Sequence, residues 1–308
     1  MINPPPKKPA AGRDRGRGFT LVELVTVIAI LGIIAAAVAV FLRLPLQAYQ
    51  DAQRRASITD AADTAYTRLK RDLQTALPNS VRVTSVGAVF YLEFLQTRSG
   101  GRYRSLAPLP AVATGANTCA DTNGDTFADE NVLLFGVADT CFTTLGTLPD
   151  FATVVAGSDF IVVYNLGPGY ANADAYASGG VSGGNKSLIT SIAAGSGGEN
   201  VIVFQSNTFN LESPGRRFHV ISGPVSYVCN PAAGTLQRIS AYAIAAAQPT
   251  PPAGTSALLA KSITACTIIY DQNVVNQRTG VVSIWLSFSD PNATAVNLFQ
   301  QVQIGNAP

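Results

Sequence analysis

The apolar positions of this chain change rhythm twice. From Phe19 to Leu42 they run almost unbroken: of 24 residues, Glu23 alone is charged. At about 1.5 Å rise per residue, a helix of that length covers roughly 36 Å, enough to cross a hydrocarbon core of about 30 Å with some tilt. Residues 19–42 are therefore expected to lie in a membrane. Residues 43–78 then become amphipathic. Ala52, Ala56, Ala62, Tyr66, Leu69, Leu73 and Leu77 recur mostly three, four or seven apart, while Arg54, Arg55, Asp60, Asp63, Arg68, Lys70, Arg71 and Asp72 take the other faces. Pro45 is expected to bend or locally open this helix, and Pro78-Asn79 to end it.

Residues 79–308 follow a two-residue rhythm. Runs rich in β-branched and aromatic side chains predict strands at 81–84, 88–95, 132–136, 160–164, 187–192, 201–205, 218–221, 225–229, 236–242, 265–270, 281–288 and 296–304. Gly, Pro, Asn and Ser clusters separate them, including Gly167-Pro168-Gly169 and the low-complexity stretch 176–185. The fold class is α+β: one long N-terminal transmembrane and amphipathic helix packed on a mainly antiparallel β domain. That domain is long enough for one large sheet unit or two smaller lobes.

Charge changes the picture only at the start. Residues 1–18 carry Lys7, Lys8, Arg13, Arg15 and Arg17 against Asp14, a basic stretch that the positive-inside rule keeps cytoplasmic. Its prolines and glycines predict disorder. Without this leader the formal charge moves from +2 to −2, so the basic pI belongs to the precursor, and no nucleic-acid affinity is inferred from it.

An acid four residues into an apolar segment needs a partner, because a charge at that depth costs about 2.5 kcal/mol or more. A cut after Gly18 creates one: a free amine on Phe19. A carboxylate and an ammonium about 4 Å apart, at an effective dielectric near 20, attract by roughly 4 kcal/mol. In a bundle of parallel, staggered helices Glu23 can reach a neighbour's amine, which makes it an assembly residue. Arg17-Gly18-Phe19-Thr20-Leu21-Val22-Glu23 resembles the processing and methylation site of type IV pilins and type II secretion pseudopilins. The resemblance implies cleavage by a prepilin peptidase at Gly18, N-methylation of Phe19, and packing of the apolar helix with other pilins in a filament core. It also implies an inner-membrane anchor with a periplasmic domain before assembly and a place on the pilus or cell surface afterwards. A secretory signal peptide fits less well, since its cleavage site follows the apolar region.

A second resemblance lies in the β half. Arg217-Phe218-His219-Val220-Ile221-Ser222-Gly223-Pro224-Val225-Ser226-Tyr227-Val228-Cys229, then Gly234-Thr235-Leu236-Gln237-Arg238 and the terminal run 297–308, are similar to segments of J-type pseudopilins and of MshO-type minor pilins of mannose-sensitive haemagglutinin pili. From the residues alone, the first run reads as two strands joined near Gly223-Pro224, with a third after a turn at 231–234.

Four cysteines support export. Of the three possible pairings, Cys119 with Cys141 and Cys229 with Cys266 each close a compact local unit. In an oxidising periplasm each bond is worth about 3 to 4 kcal/mol in the chain-entropy account. Inside the first loop, Asp121, Asn123, Asp125, Asp129 and Glu130 space oxygen ligands as part of a calcium loop does. Thr126 stands where an EF-hand has glycine, and Val132 where it has the bidentate glutamate. A solvated acidic turn is the alternative. No cofactor is required, and Ca²⁺ is the candidate ion.

Enzyme motifs fare poorly. Gly180-Val181-Ser182-Gly183-Gly184 matches GxSxG in form, and Gly184-Asn185-Lys186-Ser187 approaches a P-loop ending, but neither has the required strand before it and helix after it. His219, the single histidine, lies in an apolar strand and reads as a packed imidazole. Arg98 and the run Gly100-Gly101-Arg102-Tyr103-Arg104 read as a solvated cationic loop. The expected protein is a non-enzymatic minor pilin. The alternatives are a J-type pseudopilin and an adhesin whose loops at 96–131 and 166–198 carry a ligand.

Overall fold

The computed structural model describes residues 18–104, 132–177, 183–271, 279–289 and 295–307, apart from the side chains of Leu44 and Ser196. The chain divides into two compact units, Met1–Arg54 and Arg55–Pro308.

Helix α1 spans Leu21–Gln74. In the first unit it is exposed on every face, from Leu21 at 79% to Phe41 at 80%. A helix apolar all round gains stability only from surroundings that match it, lipid or other helices. By length and composition it can cross a membrane. Pro45 lies inside it, and the helix is not opened there. Proline removes one backbone donor, and the strong helix formers around it, among them Leu42, Leu46, Gln47 and Ala48, carry the ladder past the gap.

In the second unit, Ala62, Ala65, Tyr66, Leu69 and Leu73 form one buried stripe on α1. Ala52 and Ala56, expected on that stripe, are exposed; the packed face begins with the partly buried Ile58. The helix also ends at Gln74, before Pro78. Its last turn tightens as the Ala76 amide bonds Leu73 O at 3.1 Å. The Leu77 amide then donates to Leu95 O at 2.8 Å, so sheet pairing takes over the chain before proline does.

Among the described residues twelve strands follow: β1 Arg82–Val86, β2 Val89–Arg102, β3 Asp139–Thr143, β4 Phe160–Val163, β5 Lys186–Ala194, β6 Asn200–Asn207, β7 Arg217–Asn230, β8 Thr235–Ser240, β9 Thr255–Lys261, β10 Ile263–Asp271, β11 Thr279–Phe288 and β12 Val296–Gly305. Nine form a sheet in which β1-β2-β7-β4-β5-β6-β3 are successive neighbours and β8 and β9 branch from β7; β10-β11-β12 form a second sheet. All of these strand pairs are antiparallel. The fold is thus α+β, a long helix followed by a mainly antiparallel β domain.

The expected pair of strands at Gly223-Pro224 is one 14-residue strand, β7. One edge of β7 pairs with β2 throughout, and the other is shared by β4 over Phe218–Val163-level pairs up to Ile221 and by β8 from Val225 onward. Pro224 falls in the gap between those two partners, where a missing N–H breaks no ladder on that edge. Gly223, at φ 121°, and a register shift opposite Gln96 and Thr97 mark a bulge there. Residues 132–136 make only isolated bridges, Val132 with Arg104 and Phe135 with Phe209.

Among the described residues four apolar clusters result, two of them large. One joins the α1 stripe to Leu92, Phe94, Tyr227, Ile284, Leu286 and Val302. The other holds Phe142, Ile161, Ile189, Phe204 and Phe218. Cys229 on β7 and Cys266 on β10 form a disulfide, Cα atoms 6.5 Å apart, which ties the two sheets together. Cys141 on β3 is also disulfide-bonded; Cys119 lies outside the described residues.

Candidate functional site

Gly18, Phe19 and Thr20 precede α1 in non-helical backbone. The Thr20 hydroxyl oxygen accepts the Glu23 amide at 3.3 Å, and Thr20 O accepts the Leu24 amide at 3.1 Å. The Thr26 hydroxyl donates to Glu23 O at 3.0 Å. Both backbone groups of Glu23 are therefore held by flanking threonines, while its side chain is exposed. Phe19 is 79% exposed. The arrangement presents a short non-helical segment, an aromatic residue and an acid at the head of an uncovered apolar helix. Sequence reading missed Thr20, although its spacing to Glu23 is the capping signature.

In the second unit several ionisable groups are committed to structure. Asp72 on α1 accepts Arg238 Nε at 2.6 Å and the Tyr227 hydroxyl at 2.9 Å. Glu93 accepts Arg82 Nη2 at 2.7 Å, and burial still raises its carboxyl pKa. The Arg82 guanidinium lies 3.7 Å from the Tyr176 ring centre and also donates to Ala245 O and Ala246 O. Lys186 is buried, donates to Ala175 O at 2.6 Å and Ala177 O at 3.2 Å, and is pushed down to about 8 by that burial. His219 lies half-buried on β7; burial and Arg217 lower it to about 4, and its Nε2 has no hydrogen-bond partner.

The expected cationic loop is instead the end of β2 and its continuation. Arg98 pairs with Asp159 at 3.1 Å, Tyr103 is fully buried with its hydroxyl accepting the Ser213 amide, and Arg104 Nη1 donates to Glu199 at 3.0 Å. Cross-strand pairing with β7 accounts for the difference: it makes residues 98–102 a strand end, with Ser99 buried and Arg98 and Arg102 still exposed. An open cleft of about 360 Å³ is lined by Asn79, Arg82, Tyr170 and Tyr270 among others. Both Asn79 side-chain donors are already used by Asn165 O and Asn306 O. Gly167 closes one wall so tightly that a Cβ there would lie 2.7 Å from Asn79 O.

The candidate calcium ligands Asp121, Asn123, Asp125, Asp129 and Glu130 lie outside the described residues, as do Gly180, Val181 and Ser182 of the GxSxG-like run. Among the described residues, no three His, Cys, Asp or Glu side chains gather as a metal site.

Residues 13–39 match the family profile described as the prokaryotic N-terminal methylation motif. No curated protein and no solved structure matches the chain. The motif is the prepilin signal of type IV pilin-like proteins, of pili and pseudopili alike. Here it spans the basic residues before Gly18, the non-helical Gly18–Thr20 segment and the first turns of α1.

Proposed function

We propose that this chain is a prepilin that matures into a minor subunit of an MSHA-like type IV pilus and primes or caps filament assembly. The observation that carries this reading is the methylation motif at the head of a helix exposed and apolar on all faces. Prepilin peptidase removes the basic leader after Gly18, and Phe19 is methylated on its new amine. Before assembly the apolar helix anchors the subunit in the inner membrane with its β domain on the periplasmic side. During assembly the helix leaves the bilayer for a core of neighbouring pilin helices, where Glu23 pairs with the Phe19 amine of an adjoining subunit. The β domain is large and rich in loops, which suits display near the tip better than dense packing along a shaft.

The test is genetic and structural. A strain lacking this chain is expected to make far fewer fibres, and Glu23→Gln is expected to fail to restore them; normal fibre numbers in the deletion strain would overturn the priming role. Lost secretion with normal fibres would instead assign the chain to a pseudopilus, whose subunits share the same motif.

A further inference from the structure

The head of α1 holds one device that the reading above leaves unused. Thr20 makes both bonds of an N-cap, accepting the Glu23 amide on its hydroxyl oxygen and the Leu24 amide on its carbonyl. Glu23 lies three residues on, the spacing of a capping box. Just upstream, a Cβ built on Gly18 meets no atom of the described residues within 4 Å. A helix, once nucleated, propagates at little cost per residue. A stop at Leu21 therefore needs a cause, and the Thr20 cap supplies it.

We propose that Thr20 is a positioning residue for leader removal: its hydroxyl stops α1 at Leu21 and so keeps the Gly18–Phe19 peptide outside the helix and open to a peptidase. The inference rests on the reading that the chain is cut after Gly18. Within a helix, the Gly18 carbonyl would be engaged by an amide four residues on and shielded by side chains; outside the helix it is free of that bond and open to attack. Hydrolysis adds one water. Its oxygen bonds to the Gly18 carbonyl carbon, the C–N bond breaks, Gly18 ends as a carboxylate, and both water protons end on the Phe19 nitrogen, which leaves as an ammonium group. Thr20 acts on this step only through the backbone.

The experiment uses the full-length precursor and purified prepilin peptidase in detergent. Cleavage of the wild-type chain after Gly18 tests the underlying reading; its absence would overturn that reading and the proposal with it, whereas a failure confined to the variants below would overturn the proposal alone. Given cleavage, Thr20→Val is expected to lower kcat/KM about fivefold, the equivalent of about 1 kcal/mol for a lost cap. Thr20→Ser is expected to restore the rate. So is Thr20→Val combined with Leu21→Pro, because proline at the first helical position starts a helix and keeps the preceding residue out of it. Cα chemical shifts of Gly18 and Phe19 are expected to turn helical in Thr20→Val alone. An unchanged rate, extended shifts in Thr20→Val, or a defect that Leu21→Pro leaves in place would each overturn the proposal, the last by showing that the peptidase reads the hydroxyl directly.

Discussion

Asp72 links α1 to the sheet, and its removal is a sharp test of how the second unit is held together. Its Oδ2 takes Arg238 Nε at 2.6 Å and the buried Tyr227 hydroxyl at 2.9 Å. The Asp72 and Arg238 side chains are 12% and 14% exposed. Asp72→Ala leaves Arg238 with only Ser240 Oγ at 3.0 Å and Gln96 Oε1 at 3.3 Å, neutral partners for a mostly buried cation. Breaking a buried pair from one side costs about 3 to 5 kcal/mol; partial exposure places this one near the low end. Tyr227→Phe removes one hydrogen bond to a charged group, worth about 1.5 kcal/mol. Replacing both charges and the hydroxyl together, Asp72→Leu with Arg238→Met and Tyr227→Phe, is expected to return stability to within about 1 kcal/mol of wild type, because neither an unpaired charge nor an orphaned hydroxyl remains. Urea unfolding of a fragment spanning 55–308 measures all three, and equal m-values show that the same transition is being compared. A loss below about 1 kcal/mol in Asp72→Ala would refute the claim that this ion pair fastens the helix to the sheet.

Other consequences follow from groups buried elsewhere. His219 is lowered to about 4 in the folded chain, so below its unfolded pKa of about 6.5 the unfolded chain binds the extra proton; stability is full above about pH 6.5, falls as pH drops toward 4, and His219→Gln flattens that slope. Lys186 is lowered to about 8, so stability is expected to rise between about pH 8 and 10, where only the unfolded chain keeps that proton; Lys186→Met removes the rise in a pH series of melts. Replacing Cys229 and Cys266, 37 residues apart, with alanine is expected to cost about 3 to 4 kcal/mol, read from the urea midpoint. With calcium held by the 121–130 run, EDTA lowers the melting temperature by a few degrees and excess Ca²⁺ restores it; an unchanged melt removes calcium from the account.

The features that local chemistry alone determines were legible in the sequence. The uncovered apolar helix is an unbroken run, and β11 shows its buried face as Val282, Ile284, Leu286 and Phe288 at every second position. Features set by distant partners were not. Asp72 looked like one more charge on the wet side of an amphipathic helix, because Arg238 lies 166 residues away. Strand β9 has mostly exposed residues without a buried alternate face and is a strand because β8 offers it an edge. Gly223-Pro224 carried the chemistry of a turn, and only the handover from β4 to β8 makes it a tolerated bulge within β7. At the functional site the acid and the cleavage motif were plain, whereas the role of Thr20 needed the hydroxyl-to-amide geometry.

The most direct test of the central claim is the N-terminal mass of the subunit purified from native fibres. The account predicts a chain that begins at Phe19 and carries one methyl group on its amine. A subunit recovered from fibres with residues 1–18 still attached would contradict it.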